Sequence, residues 1–287
     1  MTAKHNATAP VSTDPRQLYL DLLKKSLMCS LYEDLDGSIW NPRPGLLSTV
    51  VKTLMPSHLR LVARSDRRKR SKGSDWPALA VTMIGAARLD NLQMCVETAI
   101  QDGVPGDCIE TGVWRGGACI LMRGILAAHG IRDRRVFVAD SFRGLPPPDA
   151  SRYPADAGAD LHTYSCLAVS RDQVRANFER YGLLDEQVTF LTGWFKDTLP
   201  TAPIEKLAVA RLDGDLYEST MDALVHLYPR LSPGGFLIVD DYHCFPYCRQ
   251  AVDDYRAKHG IDEPLHRIDW TGVYWRRASA KTPSAPL

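Results

Sequence analysis

Five short apolar runs between residues 107 and 241, separated by helix-length stretches, constrain this chain more than any other feature. They are DCIET (107–111), RVFVADS (135–141), VTFLTG (188–193), LAVARLD (207–213) and GFLIVDD (235–241). Runs that stay apolar instead of alternating predict strands buried on both faces of a parallel sheet. Helices are expected near 116–129, 170–182, 217–231 and 247–259. Two last runs, LHRIDW (265–270) and GVYWRR (272–277), lie too close together for a helical crossover and predict a hairpin. The expected fold class is α/β, a doubly wound, mostly parallel sheet of seven strands.

Open sheets of this kind bind ligands outside the carboxyl ends of their strands. Each of the five runs ends in a residue capable of chemistry or a close turn: Glu110, Asp140, Gly193, Asp213 and the pair Asp240–Asp241. After the first run, Gly112 permits a sharp turn, and Gly116 and Gly117 would let a ligand approach a helix N-terminus. A dinucleotide fingerprint needs glycine where Trp114 stands, which disfavours a nicotinamide cofactor. A buried carboxylate at Glu110 suits a cationic ammonium better than a pyrophosphate. Asp140, followed by Ser141, is placed to accept from both hydroxyls of a ribose. Its rival role, a helix N-cap, is weakened by the poor helix start RGLPPPD. Gly193-Trp194 offers a wall for a flat base, or simple core packing.

If strands four and five are neighbours, Asp213, Asp240 and Asp241 converge on one edge. That charge calls for a hard divalent cation, or else for a raised pKa or a carboxylate turned to solvent. Asp215 lies two residues beyond Asp213, as a general base or as a cap for the helix starting near Tyr217. His243 is an alternative base or a substrate contact. The set His243, Cys244, Cys248 and His259 contains no second tight pair for a structural zinc.

The remaining sequence sets the context. A formal net charge of +1 predicts no strong attraction for nucleic acid or membrane, leaving a small-molecule ligand. No run reaches the roughly 18 apolar residues of a span, and the start lacks a secretory core, so a cytoplasmic protein is expected. Seven cysteines, an odd number, suit reduced thiols. Residues 1–17 read as a disordered tail and 279–287 as another. A helical region and linker are expected over 18–105, ahead of the main domain at 106–278. Within it, 18–34 is an amphipathic helix with Leu20, Leu23, Leu27 and Leu31 on one stripe, 64–77 is a solvated basic linker, and 87–102 is a helix closed by Gly103. Tyr19, Tyr32 and Trp40, with an insertion at about 146–168 that has no apolar period, are candidates for acceptor choice. The insertion reads as a mobile or disordered lid.

The stretches ETGVWRGGA, VADSFRGLP, RLDGDLYEST and LSPGGFLIVDDY resemble the macrocin/mycinamicin-type sugar O-methyltransferases of antibiotic biosynthesis. The resemblance runs over residues 18–277. It implies a Rossmann-like class I fold dependent on S-adenosyl-L-methionine, with an N-terminal helical extension and a lid. It implies Mg2+ or another divalent cation held by Asp213, Asp240 and Asp241, with Asp215 as base. Glu110, Gly112 and Asp140 would hold the cofactor, with Thr82, Met83, Ser141, Gly193, Trp194 and Asp213 beside it. The acceptor would be a deoxysugar hydroxyl on a glycosylated natural product such as a macrolide or aminocoumarin, and the enzyme a homodimer. Competing readings are a metal-dependent catechol or phenol O-methyltransferase, an NAD(P)-dependent oxidoreductase and a non-catalytic binding protein.

Overall fold

A seven-stranded sheet carries the chain, in the spatial order β5-β4-β3-β6-β7-β9-β8. Its strands are β3 (Asp107–Thr111), β4 (Val136–Asp140), β5 (Val188–Thr192), β6 (Leu207–Leu212), β7 (Leu231–Val239), β8 (His266–Arg267) and β9 (Val273–Arg276). The five through β7 run parallel, and β9 pairs antiparallel with β7 and β8. This computed structural model describes residues 12–32, 36–39, 50, 53–54, 62–64 and 66–278. The outer part of the first expected tail, the whole of the second, and Trp40 lie outside the described residues. A separate antiparallel pair precedes the sheet, β1 (Gly37–Ile39) with β2 (Val62–Arg64).

Helices cover both faces, as the apolar strands require. On one face α1 (Pro15–Leu27), α3 (Ala86–Gln101), α4 (Gly117–Ala128) and α5 (Arg171–Arg180) share a core that includes Leu20, Leu89, Ile120 and Phe178. On the other, α7 (Tyr217–Leu227) and α8 (Pro246–His259) close over Leu224, Val252 and Trp275. A short helix, α6 (Phe195–Thr198), follows β5.

Four expectations shift. Helix α1 starts at Pro15, inside the stretch assigned to a tail, because Asp14 caps the Arg16 amide and proline suits the first helical turn. It ends at Leu27, so Leu31 leaves the buried stripe and is exposed. The basic run is not a plain linker: Asp66 caps α2 (Arg67–Lys72), and Gly73 closes it in a left-handed conformation. Arg70 turns inward, pairing with Asp75 at 3.2 Å and donating to the Ile84 carbonyl at 3.0 Å. Strand β7 begins at Leu231 rather than 235, since a register shift in β6 between Leu207 and Val209 accommodates Pro233-Gly234-Gly235. The 146–168 insertion carries three single 3-10 turns, at Pro154–Asp156, Leu161–Thr163 and Ser165–Leu167.

Candidate active site

Backbone pairing continues one residue past the strand ends, and that brings the acidic positions together. Gly112 N donates to Ala139 O, Asp213 N to Thr111 O and Asp240 N to Leu212 O, each at 2.9 Å. Gly112 has φ +82, and a Cβ there would collide with the Asp213 carbonyl. The turn after β3 therefore lies directly on the turn after β6. Strand order reverses between β3 and β6, which remain parallel, so this is the topological switch point of the sheet.

Beneath these turns lies a buried ionic network. Arg211, on β6 and 1% exposed, donates to Glu110, to Asp240 and, at 2.8 Å, to Asp213. Arg88, on α3, donates to the other Asp240 oxygen and lies 3.0 Å from Asp269. Glu110 also accepts from the Cys119 thiol at 2.9 Å. Burial pushes its carboxyl up to about 7 although Arg211 opposes the rise. Glu110 thus faces Arg211 and Cys119 and is not among the residues that line the pocket.

The carboxylates that converge are Asp213, Asp215 and Asp241, each offering an oxygen within 4.8 Å of the others. Asp215 takes a left-handed φ of +58, uncommon for a residue with a Cβ and characteristic of functional loops. Burial raises the Asp213 and Asp241 pKa values, and neighbouring negative charge adds to the rise. Asp215 is raised well above the usual range for the same reasons. Asp240 departs from the expected cluster: both its oxygens face guanidinium groups, which hold its pKa low despite burial. The buried Asp241 Oδ2 has no hydrogen-bond partner among the described residues. An orphaned carboxylate oxygen beside two more carboxylates is a donor set that fits a hard divalent cation.

The capping alternative for Asp215 fails on geometry. The α7 amides of Tyr217 and Glu218 donate to Asp156, at 2.6 and 3.1 Å.

A pocket of about 830 Å³, including its open mouth, lies over these strand ends. Of the residues singled out in the sequence, Met83, Gly112, Asp140, Ser141, Trp194, Asp213 and Asp215 line it. Asp140 organises the loops around it, accepting from Val113 N at 2.8 Å and Phe142 N at 2.7 Å. Ser141 donates to Gly144 O at 2.7 Å. Thr82 packs instead against the start of α4: a Cβ on Gly117 would stand 2.6 Å from the Thr82 Cβ. A Cβ on Gly116 would meet Val174 at 2.8 Å, so both glycines allow close packing of neighbouring protein groups. Gly193 binds the Asp140 carbonyl through its N–H at 2.9 Å, behind the lining. His243 is exposed, beside Tyr242, and outside the lining.

Sequence reasoning missed several lining groups. Leu145, Pro146 and Leu167 come from the edges of the insertion, Lys196 from α6, and Glu218 and Asp222 from α7. Trp114 lines the pocket too, with a left-handed φ of +48. Its indole N–H donates to Cys166 O at 2.9 Å and ties the insertion to the β3 turn. The signal available was the polar run YEST after LDGD, which sets acidic and hydroxyl groups on the first turn of a helix facing a strand-end pocket.

Comparison with known proteins agrees with this arrangement. The family model described as macrocin-O-methyltransferase (TylF) matches residues 16–277. A relative from Streptomyces olivaceus, 8-demethyl-8-(2,3-dimethoxy-alpha-L-rhamnosyl)-tetracenomycin-C 4'-O-methyltransferase, is 54% identical over 96% of this chain and 98% of its own. Mycinamicin III 3''-O-methyltransferase from Micromonospora griseorubida is 53% identical, covering 92% and 97%. The solved structure of the O-methyltransferase NovP is 53% identical and superposes with a TM-score of 0.81, covering 92% of this chain and 99% of that one.

Proposed function

The chain belongs to the macrocin O-methyltransferase (TylF) family and is an S-adenosyl-L-methionine-dependent O-methyltransferase; from that premise we propose that it methylates a sugar hydroxyl on a glycosylated natural product with the help of a divalent cation. Family membership overturns the oxidoreductase and binding-protein readings. What supports a sugar acceptor is the naming of relatives more than half identical over nearly their whole length, one of them for a rhamnosyl substrate. What supports a cation is the convergence of Asp213, Asp215 and Asp241 with the unpartnered Asp241 oxygen.

In this reading Asp213 and Asp241 hold the cation, Asp240 gives up a guanidinium contact to join them, and Asp215 removes the acceptor proton. A bound divalent cation would lower the pKa of the sugar hydroxyl and help orient it, while the cofactor brings a methyl group already activated as a sulfonium. The protein must then align the oxygen and take its proton. Asp215 is placed for that in the loop after β6, lining the pocket beside Asp213 and Asp241 with its backbone at φ +58. Trp194, Met83 and Asp140 bound the cofactor side of the pocket. A second reading has Asp215 as third cation ligand in place of Asp240, favoured by the 4.8 Å convergence. Among the described residues no helix is long and apolar enough to cross a membrane. The proposed setting is the cytoplasm. The proposed assembly is a homodimer, for which Leu18 and Leu22 on the exposed side of α1 offer apolar surface.

The test is methyl transfer from labelled S-adenosyl-L-methionine to a rhamnosylated acceptor, with and without a chelator. Transfer to a sugar hydroxyl that stops on chelation and returns with Mg2+ supports the reading. Transfer to a phenol alone, or chelator-resistant turnover, would overturn the corresponding half.

A further inference from the structure

Helix α7 has a leucine, Leu216, at its N-cap, a residue with no acceptor to offer the helix's first amides. The acceptor comes from 60 residues upstream in the chain. Asp156, from the middle of the insertion and 0% exposed, takes the Tyr217 and Glu218 amides on its two oxygens. A carboxylate at a helix N-terminus is favoured by both the free amides and the helix dipole. The same segment is fastened beside it by the Tyr153 ring, 6.0 Å from that of Tyr217. Asp215 immediately precedes Leu216, and Glu218, Ser219 and Asp222 from the first two turns of α7 line the pocket.

We propose that Asp156 is a positioning residue for methyl transfer: by capping α7 from the insertion it fixes the Leu216 turn, and so holds Asp215 in its left-handed conformation toward the acceptor. The insertion then works less as a free lid than as a strap whose anchor sets the catalytic loop. Without Asp156 one buried amide and one part-buried amide lack an acceptor. The cheapest local remedy is for the 213–216 turn to relax until water or Asp215 itself reaches them. Either change withdraws Asp215 from the acceptor while leaving the cofactor side of the pocket, built on β3 to β5, in place. This inference rests on Asp215 acting on the acceptor.

The experiment compares Asp156→Ala and Asp156→Asn with the unsubstituted enzyme. It measures kcat, the KM for each substrate, S-adenosylhomocysteine affinity and the hydrogen exchange of the Tyr217 and Glu218 amides. For Asp156→Ala the expected result is faster exchange at those two amides and a kcat lower by about tenfold or more, with product affinity within about threefold. Asp156→Asn keeps one acceptor oxygen and is expected to fall between the two, which also covers the case in which the alanine variant fails to fold. Unchanged kcat in Asp156→Ala, or parallel losses in kcat and S-adenosylhomocysteine affinity, would overturn the positioning role. An Asp215→Asn variant run alongside separates the two claims. If it is inactive while Asp156→Ala turns over normally, only the strap fails; if it is fully active, the role of Asp215 fails first.

Discussion

Arg88, in the helical region ahead of the sheet, donates into the carboxylate of Asp240, 152 residues further along the chain. The contact ties α3 to the ends of β6 and β7. With Arg211 on the other oxygen, it explains why Asp240 stays ionised in a site where its acidic neighbours resist ionisation. Removing one partner of a buried pair strands the other, and here Asp269 loses its guanidinium as well. Arg88→Met is therefore expected to destabilise the fold by roughly 3–5 kcal/mol in urea denaturation. A loss under about 1 kcal/mol would mean that water already solvates Asp240.

Gly112 carries a second structural demand. Alanine there needs a left-handed φ and space that the Asp213 carbonyl occupies. Gly112→Ala should cost about 3 kcal/mol or more and abolish S-adenosylhomocysteine binding, because the β3 and β6 turns must separate. Calorimetric titration on the folded fraction checks both. Unaltered binding would show that the two turns need not touch.

Glu110 sets a pH dependence with a definite sign. Its folded pKa of about 7 lies above the ordinary 4.5, so between these values the folded state holds the extra proton. Stability from this group is then present at low pH and falls as pH rises toward 7, by roughly 1–3 kcal/mol in all. Glu110→Gln should flatten that part of the profile in denaturation midpoints measured from pH 5 to 8. The same slope in the variant would assign it to other carboxyls.

Trp194 was legible only as a wall or a core residue, and the pocket lining favours the wall. Trp194→Ala should weaken S-adenosylhomocysteine binding about tenfold, with Trp194→Phe recovering most of it. Equal affinity in all three would return Trp194 to simple packing.

The sheet was readable because buried parallel strands announce themselves as unbroken apolar runs, and because strand ends are where such folds place chemistry. Asp213, Asp215, Asp140 and Trp194 followed from that rule. What stayed hidden depends on partners remote in sequence. Nothing near VDDY signals that Asp240 faces two arginines while Asp241 faces the other acids. Nothing in PPPDASRYPADAGAD marks Asp156 as the cap of a helix 61 residues on. The α2 signals were local, Asp66 as cap and Gly73 as stop, but the density of charge around them outweighed the pattern.

Asp215→Asn tests most directly the proposed division of the acids between cation and proton. Calorimetry would measure its affinity for S-adenosylhomocysteine and for Mg2+, and a turnover assay its kcat on the same preparation. The expected result is near-unchanged binding of both ligands with kcat reduced by about a hundredfold or more. Full turnover would contradict Asp215 as base, and loss of Mg2+ binding would make it a ligand instead.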